Sequence, residues 1–227
     1  CGGISPWETG PSGMLKRPEF YLLFACTFAI QSGGFFLTIN TASMVESRSG
    51  TAVSSATAVT VFSCFQGLAR LFTGLASDYL VAKGIPRTVY FPMLMTLMAC
   101  AHGVLCLSGP AALIIGTALA GMAFGSVYPL LVLSLTEIFG KERLASNYMI
   151  FDGMPGAIGA LAVAKGLAGS VYNAHKQDHA AKKCYGDDCF RLAHAIVMAI
   201  EVVGVALGIL LTVRTRVVYR ALAGGAD

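Results

Sequence analysis

Long apolar stretches alternate with short polar connections along most of the chain. Six of these stretches run over 20–45, 53–76, 88–107, 111–135, 146–171 and 192–213. The hydrocarbon core of a bilayer, about 30 Å thick, requires roughly 20 helical residues at 1.5 Å each, and every stretch reaches that length. None of them carries the polar stripe that a soluble helix turns toward water. The pattern therefore predicts an all-α, polytopic membrane protein with six transmembrane helices.

The composition supports the same fold class. Hydrophobic residues make up 56% of the 227 residues and charged residues only 12%, whereas a soluble domain carries about a quarter charged residues. The net charge of +4 does not indicate nucleic-acid binding, because the basic residues occupy the polar connections and form no basic face. The sequence contains no phosphate-cradling loop, haem attachment motif or hydrolase triad. We therefore expect a protein that is not an enzyme and has no cofactor.

The distribution of lysine and arginine predicts the orientation in the membrane. Nine of these residues lie before the first span, in the connections after the second and fourth spans, and after the sixth. Five lie in the connections on the opposite side. The positive-inside rule then places both termini in the cytoplasm, and an even number of spans agrees with two ends on one side. The location can be the plasma membrane or an endomembrane.

The segments outside the spans are short. Residues 1–19 are rich in glycine and proline and predict a flexible lead-in, and 214–227 form a short tail. The long external connection is 172–191. The chain starts at Cys1 rather than at Met, which suggests a piece of a longer protein. We expect one six-helix bundle in a lipid bilayer and no soluble domain.

Small residues mark faces where helices can approach closely, since lipid gives helices no hydrophobic reason to associate. Gly121 and Gly125 have GxxxG spacing in the fourth span and predict close packing. A second group of small or helix-weakening residues lies in the first half of the fifth span: Gly153, Pro155, Gly156 and Gly159. Two interpretations of this group stay open, close packing alone or a hinge that lets the helix bend.

Four short patterns occur in order along the chain. They are RLFTGLASD at 70–78, LTEIFG at 135–140, MPGAIG at 154–159 and CYGDDCFR at 184–191. Together they resemble the second six-helix half of a major facilitator superfamily transporter. The last pattern narrows the resemblance to the nodulin-like branch, which is similar to the oxalate/formate and monocarboxylate carriers. The resemblance implies alternating access around a site at the middle of the membrane. It also implies a missing N-terminal six-helix half, or a second copy of this chain if the chain is complete.

A charged motif ends the second span. Arg70, Gly74 and Asp78 follow one another at four-residue intervals and hence lie on one helix face. The resemblance implies that they form a gate at the cytoplasmic rim, where Asp78 accepts from a helix N-terminus or pairs with Arg87. The superfamily usually has a basic residue after this aspartate, and here the residue is Tyr79. The alternative is a solvated rim, because charges near a helix end reach water by snorkelling.

Three ionisable residues fall inside predicted spans, where each costs about 2.5–3.5 kcal/mol at a helix centre. They are Asp152, Lys165 and Glu201. Lys165 and Glu201 differ in depth by roughly 6 Å, which a lysine side chain can bridge, so a structural pair is the simpler expectation. The alternative is that Glu201 or Asp152 is a proton-coupling carboxylate, since a poorly solvated acid can load and release protons near neutrality.

Uncharged polar residues in the spans are candidates for lining a solute cavity. Gln31 and Asn40 lie in the first span and Tyr128 in the fourth. The alternative is hydrogen bonding between helices, which satisfies a buried amide without any solute. His102, near the outer end of the third span, is expected to be a satisfied residue between helices rather than a proton carrier.

Two cysteines share the long connection. Because this connection is expected outside the cytoplasm, where the compartment is oxidising, Cys184 and Cys189 are expected to form a disulfide. A tetrahedral metal site made by these cysteines with His175 and His179 is the alternative. The spacing of the four residues fits no standard zinc pattern, so we predict no metal.

These features together predict half of a secondary active transporter for a small solute. The preference for an organic anion rests on the resemblance, and proton coupling would follow from an intramembrane carboxyl. The alternative is a non-transporting membrane subunit that stabilises a partner through helix packing.

Overall fold

The computed structural model describes residues 9–48, 53–176 and 183–224 of the chain. Residues 1–8 of the expected lead-in, 177–182 of the long connection and 225–227 of the tail lie outside the described residues. His179, a member of the alternative metal site, is among them.

Helices make up most of the described residues. In chain order they are α1 Pro11–Met14, α2 Pro18–Ser47, α3 Ser55–Ala82, a 3-10 turn Arg87–Val89, α4 Tyr90–Leu105, α5 Pro110–Phe139, α6 Leu144–Ile158, a π-helix Gly159–Leu167, α7 Ala168–Ala174 and α8 Asp188–Gly224. The π-helix joins α6 to α7 without a break, so the three form one span. Six helical segments are long and apolar enough to cross a membrane. The predicted all-α, six-span fold class is confirmed.

The second span is longer than the hydropathy pattern predicts. α3 continues past residue 76 and ends at Ala82. Gly84 follows with a φ of 76°, a left-handed conformation that glycine adopts at little cost and that commonly ends a helix. The polar residue Asp78 is held within the helix because Arg87 binds its carboxylate. Arg70 consequently lies near the middle of α3 rather than near its end.

The segment before the first span packs on the bundle from residue 9 onward. Pro11 starts α1 at a position where proline is favoured, and Met14 is fully buried. The Thr9 amide donates to the Phe139 carbonyl at 3.0 Å, and the Asn147 side chain donates to the Thr9 carbonyl at 3.1 Å. This part of the lead-in differs from the expected flexible segment, because its apolar side chain and backbone groups find partners at the ends of α5 and α6.

Both ends of the described chain meet on one side of the bundle, which we call the termini side. Arg214 in α8 has its Nε 2.8 Å from Oε1 of Glu19 at the start of α2. α8 itself is longer than the predicted 192–213 at both ends. Its first turns belong to the opposite side, where the long connection returns to the bundle.

The fifth span changes its helical geometry halfway along. The π-helix begins at Gly159, the last member of the predicted hinge or packing group. Contacts from α2 hold this irregular segment: the Asn40 side chain donates to the Ala164 carbonyl at 2.8 Å. A Cβ on Gly159 would stand 2.6 Å from Oγ of Ser32, so glycine is needed for this close approach. π-Helical segments occur frequently at functional sites and where a helix is distorted.

The GxxxG motif of α5 faces the backbone of α3. A Cβ on Gly121 would overlap the carbonyl of Phe62, and a Cβ on Gly125 would overlap the carbonyl of Gln66. Because these contacts recur one turn apart on both helices, α3 and α5 approach closely over at least two turns. The motif therefore makes the packing contact that small residues allow in a membrane.

We expect Gly125→Val to destabilise the bundle by about 1–3 kcal/mol, the usual cost of overpacking. The added side chain meets backbone, which cannot rotate away. Thermal unfolding of the purified protein in detergent would measure the effect. Gly169→Val in α7 is the matched control, because a Cβ on Gly169 meets nothing within 4 Å. Equal losses in the two variants would contradict the packing role of Gly125.

Candidate functional site on the open face of the bundle

α3 is the least covered of the six spans. Only 17% of the most apolar stretch of α3 is buried, against 61% of the corresponding stretch of α2. Large apolar side chains are exposed along α3 and along α6, two helices that each pack against α5: Leu68, Leu71, Phe72, Leu75, Met149 and Met154. We call this surface of α3 and α6, with the part of α5 between them, the open face. Gly67 and Gly74 lie on it with open space where a side chain would stand.

Four polar residues from three helices meet on the open face. The guanidinium of Arg70 in α3 lies over the ring of Tyr128 in α5, with Cζ 4.4 Å from the ring centroid. On α6, Tyr148 and Asp152 lie one turn apart and interact electrostatically. Asp152 and Arg70 both interact electrostatically with Tyr128. The result is a polar site with one cation, one acid and two phenols.

The depth of this open-face site excludes simple exposure to lipid. Arg70 lies twelve residues before the end of α3, and Asp152 lies eight residues after the start of α6. At 1.5 Å per residue these positions are about 18 Å and 12 Å from the helix ends on the termini side. Arg70 is exposed and Asp152 half-buried, and a charge facing lipid at such depth costs at least about 2.5–3.5 kcal/mol. The open face is therefore suited to contact with protein or a water-filled cavity.

A second charged cluster lies on the termini side. The buried Arg87 has Nη2 2.7 Å from Oδ1 of Asp78 and Nε 2.7 Å from Oε1 of Glu137. The hydroxyl of Tyr219 donates to the other oxygen of Glu137 at 2.8 Å. The cluster links the turn before α4 with α3, α5 and α8, so one arginine ties together four elements.

The expected gate motif divides between these two places. Asp78 and Arg87 form an ion pair, which is one of the partnerships considered from the sequence. Arg70 lies two turns away in the open-face site, and Gly74 has no close neighbour among the described residues. The four-residue spacing does put the motif on one stripe of α3. Along that stripe, Arg70 contacts Tyr128 of α5, and Asp78 contacts Arg87 of the 3-10 turn.

The expected pair between Lys165 and Glu201 is not formed. Glu201 is fully buried, and neither of its carboxylate oxygens has a hydrogen-bond partner. Lys165 is exposed on the π-helix. The expectation was wrong because it used depth alone: the π-helix packs mainly against α2, whereas α8 packs mainly against α4 and α2.

A polar group is buried between α2, α4 and α8. His102 and His194 are fully buried, and their Nδ1 atoms are 2.9 Å apart. A Cβ on Gly33 would stand 3.1 Å from both Nε2 of His102 and Oε1 of Glu201. His102 lies between helices as the sequence predicts, but its partner is a second ionisable side chain.

The three residues expected to line a cavity have different environments. Gln31 is fully buried, and its amide nitrogen lies 3.5 Å from the Phe151 carbonyl. Asn40 donates to the Ala164 carbonyl. Both amides therefore contact the backbone of the fifth span, the alternative considered for them. Tyr128 belongs to the open-face site.

The side opposite the termini is held by a disulfide and a buried arginine. Cys184 and Cys189 are joined, with their Cα atoms 5.9 Å apart. Nε of Arg48 lies 2.9 Å from Oδ1 of Asp187, and Nη2 donates to the Leu105 carbonyl at 2.7 Å. Burial lowers the pKa of the Arg48 guanidinium, while the charge of Asp187 acts in the other direction. These contacts fix the start of α8 against the ends of α2 and α4.

Within the described ranges, no group of three or more histidine, cysteine, aspartate and glutamate side chains is arranged to hold a metal ion. The alternative site considered from the sequence needed Cys184, Cys189 and two histidines. The two cysteines are bonded to each other, and His179 lies outside the described residues.

Sequence reasoning did not single out several residues of these sites, among them Tyr148, Tyr219, His194 and Arg48. Two of them carried usable signals. His194 is an ionisable residue just inside a span, where such residues are rare. Tyr148 precedes Asp152 by four residues and therefore shares its helix face. Arg48 gave no signal, because its partners come from distant parts of the chain.

Six spans with a charged, uncovered face define a polytopic membrane protein of the transporter-like class. The chain belongs to the family described as NFD4, C-terminal domain, whose sequence profile matches residues 3–221. This match and the relatives below confirm the resemblance to the C-terminal half of a major facilitator superfamily transporter of the nodulin-like branch.

Two curated relatives illustrate the range of this similarity. The Protein NUCLEAR FUSION DEFECTIVE 4 of Arabidopsis thaliana is 25% identical over 219 residues, which cover 92% of this chain and 36% of that protein. The Oxalate:formate antiporter of Oxalobacter formigenes is 28% identical over 138 residues, which cover 61% of this chain and 32% of the antiporter. The chain thus matches about a third of the length of each relative. No solved structure matches the chain.

Proposed function

We propose that this chain is the C-terminal half of a secondary active transporter that moves a small organic anion by alternating access. The observation that supports this function is the exposed guanidinium of Arg70 beside Tyr128, near the middle of the membrane-spanning helix α3. Arginine binds carboxylates through charge-assisted, bidentate hydrogen bonds. In a cavity at the middle of the membrane, it would offset the charge of a carboxylate solute. One similar protein is named an oxalate:formate antiporter, which agrees with this solute class.

The open face is the wall of the solute cavity in this proposal. Its charged residues need protein or water as neighbours, because lipid offers them no hydrogen bonds. A second six-helix half provides this cover, and both relatives extend well beyond the matched segment. Gly67 and Gly74 leave room for a helix of that half to approach α3.

Asp152 gives the open-face site a means of proton coupling. While its carboxylate is ionised, it opposes anion binding beside Arg70. A proton on Asp152 removes this negative charge, so the site binds an anion more tightly when the proton is also bound. Proton and anion would then cross together, as differential binding between two states requires.

The cluster of Asp78, Arg87 and Glu137 is the gate in this proposal. We place both termini in the cytoplasm, following the nine-to-five distribution of basic residues. The cluster then lies at the cytoplasmic end of the cavity. Release of its ion pairs would let α3 separate from the turn before α4, which opens the cavity to that side.

Counterflow with the intact carrier tests the proposed function. The full-length protein that contains this chain is reconstituted into liposomes loaded with unlabelled oxalate or formate, and entry of labelled oxalate is measured. We expect exchange well above that of protein-free liposomes. Absence of exchange for oxalate, formate and a panel of other small carboxylates would contradict anion transport.

A non-transporting membrane subunit is the alternative function. Such a subunit would bury the open face permanently against a partner and would have no use for a solvated arginine. Stable co-purification of a second membrane protein, together with no exchange of any carboxylate tested, would favour it.

A further inference from the structure

An ionisable cluster lies inside the bundle, away from the open face. His102 of α4 and His194 and Glu201 of α8 are all fully buried. α2 closes the cluster on its third side through Gly33. None of the three residues belongs to the open-face site or to the Arg87 cluster. Ionisable residues inside membrane spans are rare and costly, so three in one place require a physical account.

The contact between the two histidines limits how many protons they can hold. Only one hydrogen fits between two Nδ1 atoms 2.9 Å apart. One ring must therefore donate and the other accept, and both rings cannot be charged while the contact persists. Each Nε2 atom is buried without a hydrogen-bond partner. The pair is thus neutral or carries a single added proton.

Glu201 is the nearby group that can supply or take that proton. Its Oε1 and the Nε2 of His102 each lie 3.1 Å from the point where a Cβ on Gly33 would stand. The two atoms are consequently within about twice that distance of each other. A side chain on Gly33 would crowd both atoms, so the close approach of α2 at this point needs glycine.

Among the residues that the structure describes, none places a permanent positive charge in contact with the Glu201 carboxyl. Cys26 of α2 is the titratable group that interacts with Glu201. Arg48, at the end of α2, interacts with His194 and is itself bound to Asp187. Lys165 is exposed on the π-helix. An ionised Glu201 would therefore be a buried charge without a bound counter-ion, and such a charge is costly in a low-dielectric interior.

We propose that Glu201, His102 and His194 form a single proton-binding site in the core of the bundle. The resting site is neutral: Glu201 carries the proton, and His102 donates its Nδ1 hydrogen to Nδ1 of His194. His102 Nε2 then holds a free lone pair. When the proton leaves the Glu201 oxygen for this nitrogen, the products are a carboxylate and an imidazolium, so the total charge of the site stays constant.

The position of the site along α8 suggests how protons reach it. His194 lies six residues after the start of α8 and Glu201 thirteen, about 9 Å and 20 Å along the helix. The histidine pair thus lies between the side opposite the termini, where the disulfide is, and the buried Glu201 carboxyl. A use of this proton in coupling rests on the proposed transport function, whereas the binding of the proton does not.

Infrared spectroscopy of the intact carrier in lipid tests the site. In mildly alkaline buffer, exposed carboxyl groups are ionised, so only protected ones show the carbonyl band of a protonated acid. We expect such a band, and we expect Glu201→Gln to abolish it. His102→Gln keeps the acid but replaces its neighbour, and we expect the band to shift in frequency. Asp152→Asn, the matched control on the open face, should leave the Glu201 band unchanged.

Two results would overturn the proposal: a band that persists in Glu201→Gln, or a band whose frequency is the same in His102→Gln as in the wild type. If Glu201→Gln does not fold, the His102→Gln and Asp152→Asn spectra decide alone. A carrier that shows the expected bands but exchanges no carboxylate would refute the proposed transport function and leave the proton site intact.

Discussion

Arg70→Gln is expected to abolish counterflow by the intact carrier while leaving its folding unchanged. The guanidinium is exposed and its contact on the open face is with the Tyr128 ring, so glutamine removes little packing. Loss of a charged partner for a desolvated anion costs about 2–5 kcal/mol, or roughly 30-fold or more in affinity. Labelled oxalate exchange measures the loss, and thermal unfolding measures the stability.

Two further arginine variants sharpen this experiment. Arg70→Lys keeps the positive charge but loses the planar fork and the stacking on Tyr128, so we expect an intermediate exchange rate. Arg216→Gln removes one exposed positive charge from α8 far from the open face, and we expect exchange close to that of the wild type. Normal exchange in Arg70→Gln would contradict the proposal that Arg70 binds the anion.

Arg87→Gln is expected to lower the stability of the bundle more than removal of either of its two acidic partners. Removal of one partner from a buried ion pair costs about 3–5 kcal/mol, because the remaining charge is left without compensation. The Glu137 side chain is 18% exposed and the Asp78 side chain 64%. Since solvent screens the exposed partner, the expected cost lies at the lower end of that range. Thermal unfolding in detergent checks it.

The two acids of the same cluster serve as internal controls. Glu137→Gln leaves the buried arginine poorly compensated and should approach the effect of Arg87→Gln. Asp78→Asn should change stability by less than about 1 kcal/mol, as is usual for an exposed pair. The variant should also insert into the membrane normally. If Asp78 has the proposed gating role, its exchange rate should fall. If Asp78→Asn were as unstable as Arg87→Gln, the exposure of each acid would not explain how much its ion pair contributes to stability.

Contacts between residues close in sequence were the most accessible to prediction. Cys184 and Cys189 are separated by five positions, so their pairing needs only a short connection in an oxidising compartment. Asp78 and Arg87 flank one turn and meet wherever the chain reverses there. In both cases the local chain restricts the choice of partner.

Contacts between helices were less accessible, because they depend on how each helix is rotated. His102 and His194 are 92 positions apart, and their meeting requires α4 and α8 to face each other at that level. The error for Lys165 and Glu201 has the same origin. Depth in the membrane can be estimated from sequence, but the π-helix carries Lys165 on an exposed surface, and α2 packs against both segments that carry the pair.

By itself, the sequence determined the number of spans and the all-α class, because a bilayer sets a length and hydropathy that each helix must meet independently. Its four short motifs indicated the family. Only the tertiary structure decided that Arg70 stands on an uncovered face and that Glu201 is enclosed with two histidines. Those outcomes depend on helix neighbours and rotations. In lipid, small residues and polar contacts set these rather than the general burial of apolar surface.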